Sequence, residues 1–270
     1  MQTDYMKFIG ATLSAAAKVA TRNFGQVGQS STKAGDNNQV LTETDLEIGR
    51  LIVDAIQTAW PDDNIIDEEA GVIDKKSDRT WVVDPIDGTS NFANGLPTYG
   101  CMMGLLDRDQ AVAGGIILPS FDQLYVVQKG SGAWCNGQPI LVTNEPKLLS
   151  TLVAYGIDGH QEEPERTLNE VAVLAKIILN IRNLRSNNSA FDMVQIPAGR
   201  CGGFLNQTSK IWDNVAFQPI VEEAGGVVTE FWGQPMDYSH PLTKADKNYT
   251  ICAGSPELHR QLQAIIHSTT

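Results

Sequence analysis

Apolar and polar positions follow two different periods along this chain, and the changes of period mark out its elements. Across residues 4–25 apolar side chains recur at helical spacing, through Val19 and Phe24, and stop near Gly25 and Gly28, which predicts an amphipathic helix. A signal peptide is the lesser reading of the same residues, since Lys18 ends the apolar run from Phe8 to Ala17 while the helical spacing carries on. Gln29 to Gln39 is polar and predicts a loop, either a solvated connection or a mobile lid, with Lys33 as its one cation. From Val40 a second helix is expected, with Thr42 or Thr44 as N-cap, an apolar face including Ile48, Ile52 and Ile56, and an end before Pro61. Asn64-Ile65-Ile66 predicts a short strand running into Asp67-Glu68-Glu69, and three acids there ordinarily mark a solvated edge.

The sharpest switch comes at Trp81-Val82-Val83-Asp84-Pro85-Ile86-Asp87-Gly88-Thr89-Ser90-Asn91-Phe92. An apolar strand delivers Asp84 and Asp87 into a turn and a helix start, with Asp84 at the strand end because Pro85 favours an extended predecessor. Both carboxylates can converge on one cation, and the amides of Gly88 and Thr89 suit a phosphate. Strands follow at Tyr99 to Leu106, Ala111 to Leu118 and Gln123 to Gln128, an antiparallel meander closed by the Asn136-Gly137 turn, with Trp134 and Cys135 expected in the core.

From about residue 146 strand and helix alternate, which predicts an α/β half. Strands are expected at Thr151 to Tyr155, Ile181 to Arg185, Gly202 to Asn206, Val227-Val228 and Thr250 to Cys252. Helices are expected at Pro164 to Leu179, from Ala190 to about Ala198, from an Asp213 N-cap to Gly225-Gly226, and from Pro256. The turn from Arg185 to Ser189 is either a helix cap or a set of amides and hydroxyls offered to a hydroxylated ligand. Glu222 and Glu223 oppose the dipole of their helix, for which the pattern offers no reason.

Length and composition narrow the chemistry. The 270 residues can bury a large core without staples, and the net charge of −12, with no basic cluster, argues against nucleic acid as a partner. No stretch reaches the ~18 apolar residues that cross a membrane. Cys101, Cys135, Cys201 and Cys252 form no Cys-x-x-Cys pair, which disfavours zinc and a disulfide framework and points to the cytoplasm. All four histidines lie in the second half, so a metal at the Asp84 turn would take oxygen ligands: magnesium, manganese or calcium. Taken alone, Asp45 reads as a surface acid complementing a helix dipole.

Taken together, the Trp81 to Phe92 stretch, Glu68-Glu69, and Trp212-Asp213 followed by Glu223-Ala224-Gly225-Gly226 resemble the inositol monophosphatase family of the magnesium-dependent, lithium-sensitive phosphatases. Order and spacing agree along nearly the whole chain. The resemblance implies a layered αβαβα sandwich of the sugar-phosphatase (fructose-1,6-bisphosphatase-like) fold, between α+β and α/β in class. An N-terminal α+β half, 1–145, would carry the antiparallel sheet and the metal motif, and pack as one globular unit with a C-terminal α/β half, 146–270. It also implies two to three Mg2+ ions per subunit, with Mn2+ possible and Li+ inhibitory, and a homodimer.

By the same resemblance, Glu68, Asp84 and the Ile86 carbonyl hold the first ion, and Asp84, Asp87 and Asp213 the second, with Glu68 helping to hold a third. Thr89 and Glu68 would orient the attacking water, Asp45 would support Thr89, Gly88 and Thr89 would bind phosphate, and Lys33 would belong to a mobile loop. Asp87, Asn188, Ser189, Ala190, Asn206 and Asp213 match the substrate-binding positions. Inositol-selective members carry a glutamate at the position of Asn206 and a glycine at that of Asn188. The Lys33 loop is one residue longer, and Gln39 replaces an aspartate. The implied function is hydrolysis of a small polyol or sugar phosphate, with fructose 1,6-bisphosphate and histidinol phosphate as alternatives. A non-catalytic regulatory binding protein on the same fold is the reading of another class.

Overall fold

Helices and two large sheets alternate as five layers in the computed structural model of the chain, which describes residues 4–25, 30–32 and 40–268. The first elements are α1 (Tyr5–Asn23), β1 (Ser30–Thr32), β2 (Val40–Thr42), α2 (Glu43–Ala59), β3 (Asn64–Asp67), β4 (Gly71–Ile73), β5 (Arg79–Asp87) and α3 (Thr89–Ala93). The meander continues with β6 (Gly100–Asp107), β7 (Gln110–Leu118), β8 (Gln123–Gln128), β9 (Ala133–Cys135) and β10 (Gln138–Pro139). The second half holds β11 (Leu152–Gly156), α4 (Pro164–Ile178), β12 (Asn183–Arg185), α5 (Ala190–Met193), β13 (Gly203–Ser209), α6 (Ile211–Glu223), β14 (Val227–Thr229), β15 (Tyr249–Gly254) and α7 (Pro256–His267).

One sheet has eight strands in the order β10-β9-β8-β7-β6-β5-β3-β4, the other five in the order β12-β11-β13-β15-β14. Both are mixed: β3 runs parallel to β5, and β11 parallel to β12 and β13, while the remaining pairs are antiparallel. Helices α1 and α2 cover one face of the large sheet, and α6 lies on the other, between the sheets. The alternation along β6 explains the seating. Cys101, Met103 and Leu105 pack towards α1 and α2, whereas Met102 joins the inter-sheet core with Phe204, Phe217 and Ile220. With apolar partners on both faces, the strand reads as one continuous apolar run. Helices α4 and α7 close the outer face of the small sheet around Val173, Ile177, Leu258 and Leu262.

Glycines set the distance between α6 and the large sheet. A Cβ at Gly104 would stand 2.7 Å from the backbone nitrogen of Ala216, and one at Gly114 would stand 2.8 Å from the Ala216 Cα. The helix backbone therefore rests almost directly on β6 and β7.

Several expectations are corrected. Ser30–Thr32 pairs antiparallel with Val40–Thr42, so a two-stranded pair stands where a loop was expected, its first strand too polar to announce it, while the second helix starts after Thr42, one of its two expected N-caps. Residues 26–29 and 33–39, Lys33 among them, lie outside the described residues. Trp134 and Cys135 are half-buried rather than core, because β9 lies next to the two-residue edge strand β10. The helix from Ala190 ends at Met193 because Pro197 cannot continue it, and irregular turns carry the chain to Gly199. Asp67 is buried rather than solvated, since β3 sits inside the sheet between β4 and β5. Glu223 gains its reason: its carboxylate accepts the N–H groups of Gly130 and Gly132, both at 2.8 Å.

Gly114→Ala should lower unfolding stability by about 1–3 kcal/mol, the usual cost of overpacking, read from the urea midpoint. An unchanged midpoint would mean that α6 does not rest on β7 there.

Candidate active site

A bulge in β5 brings the first two acids together. Its ladder with β6 steps from Asp84 opposite Met102 to Asp87 opposite Gly100, so one extra residue is inserted around Pro85, which has no N–H to give. Asp87 was expected in the turn beyond the strand; it is the strand's last residue, and the bulge re-aims it towards Asp84. The third acid comes from the other side of the inter-sheet layer. Asp213 is the third residue of α6 rather than its N-cap, and its Oδ2 accepts the N–H of Lys210 at 2.6 Å. Carboxylate oxygens of Asp84, Asp87 and Asp213 lie within 4.8 Å of one another.

Glu68 follows β3, its N–H donating to the Val83 carbonyl at 3.2 Å, and lines the same cavity. Asp67 beside it caps the turn, accepting from Glu69 and Ala70 at 2.9 and 2.6 Å. Asp45 is buried at 1% exposure instead of lying on the surface, because the capping box of α2 turns it inward: Oδ2 accepts the Thr42 N–H at 2.8 Å. Its Oδ1 stands 3.2 Å from the Thr89 hydroxyl, which is also 2.8 Å from the Ile86 carbonyl oxygen. One hydroxyl proton can serve only one of these acceptors at a time.

The cavity of about 570 Å³ also takes in Ile86, Gly88, Thr89, Asn188, Ser189 and Asn206. Asp45 and Ala190 do not line it; Asp45 stands behind Thr89, and the Ala190 N–H donates to Asp87 Oδ1. Asn188 takes the left-handed conformation, φ 55°, which an asparagine tolerates where a glycine would be the easiest residue. That turn is held by Asp192, whose carboxylate accepts the N–H groups of Asn187 and Asn188 at 2.6 and 3.0 Å. Asn91 ties it to α3 by donating to the Asn187 carbonyl at 2.8 Å. The pattern reading missed Asp192, and also Asp158 and Thr208 on the cavity wall. For Asp158 there was a usable signal, the run Gly156-Ile157-Asp158-Gly159 leaving the end of a strand, where ligand-bearing loops gather.

Crowding and burial raise the carboxyl pKa values. Burial lifts Asp84 well above the usual range, and the charges of Glu68, Asp87 and Asp213 add to it. Asp213 is raised by burial and by Asp87, against the N–H of Lys210. Burial takes Asp87 to about 7, with Ala190 opposing and Glu68 and Asp192 adding. Asp45 rises to about 6, burial outweighing its bonds to Thr42, with Glu68 contributing. A shared cation would relieve all of this, and the residues fit one: Asp84 Oδ1 is buried without a hydrogen-bond partner, and the donor set is all oxygen.

Acids gathered at a strand end and a helix start between the sheets of a layered αβαβα sandwich, together with the relatives this chain matches, place it in a class of enzyme, the phosphoric monoester hydrolases. The sequence model of the inositol monophosphatase family matches residues 2–269, and the chain belongs to that family. It is 34% identical over 214 residues to a protein of Thermotoga maritima named fructose-1,6-bisphosphatase/inositol-1-monophosphatase, covering 78% of this chain and 79% of that one. It is 30% identical to a Nus factor SuhB of Pasteurella multocida over 81% of this chain and 82% of that one. Among solved structures, an IMPase of Thermotoga maritima superposes with a TM-score of 0.84 at 27% identity, covering 99% of this chain and 98% of that one. Among the described residues no helix is long and apolar enough to cross a membrane.

The raised pKa values carry a signed pH dependence. Between about pH 4 and pH 7 the unfolded chain has released protons that folded Asp45 and Asp87 still hold, so stability without metal should fall as pH rises through that window. Melting temperatures in chelator should decline across it, and the decline should shrink with millimolar magnesium. A flat profile in chelator would show that these carboxyls are not crowded.

Proposed function

We propose that the chain is a magnesium-dependent phosphomonoesterase acting on a small polyol or sugar phosphate of the inositol 1-phosphate type. The observation that carries this reading is the Asp84, Asp87 and Asp213 triad with its unpartnered Asp84 oxygen. In this reading Glu68, Asp84, the Ile86 carbonyl, Asp87 and Asp213 hold two to three magnesium ions, for which manganese can substitute. When bound, the ions supply charge neutralisation at the phosphoryl group and acidify the attacking water. Thr89 and Glu68 orient that water, the Thr89 hydroxyl passing its own proton towards Asp45 so that a lone pair faces the nucleophile. The N–H groups of Gly88 and Thr89 donate to the phosphate at the start of α3. Asn188, Ser189 and Asn206 face the alcohol portion with Asp87 and Asp213, and Ala190 acts by holding Asp87.

The substrate range follows from a panel of esters. Fructose 1,6-bisphosphate belongs on it because the Thermotoga relative's name includes that activity, and histidinol phosphate is the further alternative. A regulatory binding protein is the second reading, carried by the likeness to a Nus factor; capture of a partner together with negligible turnover would favour it. The four free thiols, three of them buried, fit a reducing cytoplasm.

We also propose a homodimer. Helix α4 buries Glu170, Val173, Leu174 and Ile177 on one face and leaves a second apolar stripe exposed at helical spacing, Leu168, Val171 and Ile178, which Leu179 just past its end, 78% accessible, continues. Such an exposed stripe suits a second copy.

Asp84→Asn or Asp213→Asn should cut magnesium-dependent phosphate release by about two orders of magnitude or more, the scale of losing a main electrostatic stabiliser. Lithium should inhibit the wild type in the same assay; full turnover in both variants sinks the reading. Leu168→Glu combined with Leu179→Glu should give a monomer by light scattering, and an unchanged oligomer would place the interface elsewhere.

A further inference from the structure

Asp158 is the one charged member of an open ring of hydrogen-bonded residues on the cavity wall, whose ends, Asn188 and Asn206, meet over Gly156. Gly156 ends β11 directly opposite Asn206 of the parallel strand β13. A Cβ on Gly156 would stand 2.6 Å from Asn206 Nδ2 and 2.8 Å from Asn188 Oδ1, so both amides close over the bare glycine. Beyond it, Asn188 Nδ2 donates to Asp158 Oδ1 at 2.7 Å and the Thr208 hydroxyl donates to Asp158 Oδ2 at 2.8 Å. The Thr208 N–H extends the ring by donating to Asn206 Oδ1 at 2.6 Å, an oxygen that also lies 3.2 Å from the Thr208 hydroxyl. These bonds orient both amides: Asn188 spends its NH2 on Asp158, and Asn206 spends its carbonyl on Thr208. Asp158, Asn188, Asn206 and Thr208 all line the cavity that holds the three clustered acids.

Resting on the phosphomonoesterase reading above, we propose that Asp158 is a specificity-determining residue, accepting hydrogen bonds from the hydroxyl groups of a polyol phosphate. A carboxylate offers about four acceptor sites, and two donors are seated on this one. The remaining capacity is acceptor-only, held in place and half-exposed to the cavity. A hydroxylated alcohol portion would satisfy it with charge-assisted bonds. An alcohol portion without hydroxyls would displace water from it and return nothing, which costs affinity. The wall thus favours polyol esters both by what it binds and by what it leaves unpaired.

The test compares kcat and KM, with magnesium, for myo-inositol 1-phosphate and p-nitrophenyl phosphate in the wild type, Asp158→Ala, Asp158→Asn and Thr208→Val. The ratio of the two kcat/KM values, polyol over aryl, should fall roughly ten- to a hundredfold in Asp158→Ala, the size of one hydrogen bond to a charged group. The fall should come through KM for the polyol ester. Asp158→Asn, which keeps one acceptor oxygen, should lie between, and Thr208→Val, which frees the carboxylate to turn, should shift the ratio the same way by less. Because both esters are measured on one sample, partial unfolding cancels from the ratio. An unchanged ratio in Asp158→Ala and Asp158→Asn, or an equal loss on both esters, would make the ring a loop fastening and overturn the proposal while the phosphatase stands. A wild type that hydrolyses neither ester overturns both.

Discussion

Four acidic side chains, Glu68, Asp84, Asp87 and Asp213, share one pocket between the sheets, and the repulsion among them governs the rest of the design. Three of the carboxyls are each placed by a different device, which keeps the pocket from relaxing into something less costly. A strand bulge re-aims Asp87, an extended residue before Pro85 presents Asp84, and the first turn of α6 carries Asp213. Because β5 belongs to one sheet and α6 lies between both, separating the acids would require prising the layers apart, against a core that includes Met102, Phe204 and Phe217. Packing energy spread over the whole molecule thus holds a local electrostatic strain.

The capping acids are part of the same arrangement. Asp45, Asp192 and Asp213 each accept backbone N–H groups close to where a helix begins, and each stands at or just behind the cavity. A residue type that usually marks the start of a helix here also fixes a neighbour: Asp45 reaches the Thr89 hydroxyl, and Asp192 sets the turn carrying Asn188. Local helix chemistry and site geometry are satisfied by the same bonds.

Legibility in the sequence followed the range of the interactions. The strands of the meander and the helices from Glu43, Pro164 and Pro256 were readable because their apolar period is local. The Asp84 to Thr89 turn was readable because proline restricts the backbone and glycine frees it, each in a known way. Asp45 and Asp67 were misjudged when read alone, because burial is decided by which strand or helix arrives above them. The short strand pair before α2 has only Val40 and Leu41 as apolar residues, too few to set a period. The ring around Gly156 was missed because it joins residues 50 positions apart, Asp158 and Thr208, through side-chain bonds that no period encodes.

Gly88 shows the limit of such reading most sharply. Its φ of 89° already favours glycine, and a Cβ there would also fall 2.6 Å from the Cβ of Ser189, on the turn that closes the other side of the cavity. Two unrelated demands, one of backbone and one of contact across the seam, select the same residue. A site with a single admissible occupant cannot vary in step with its neighbour, so this contact between two helix starts would leave no trace in correlated substitutions, however many sequences were aligned. The tightest joints of a protein are in that sense its quietest, and only coordinates make them visible.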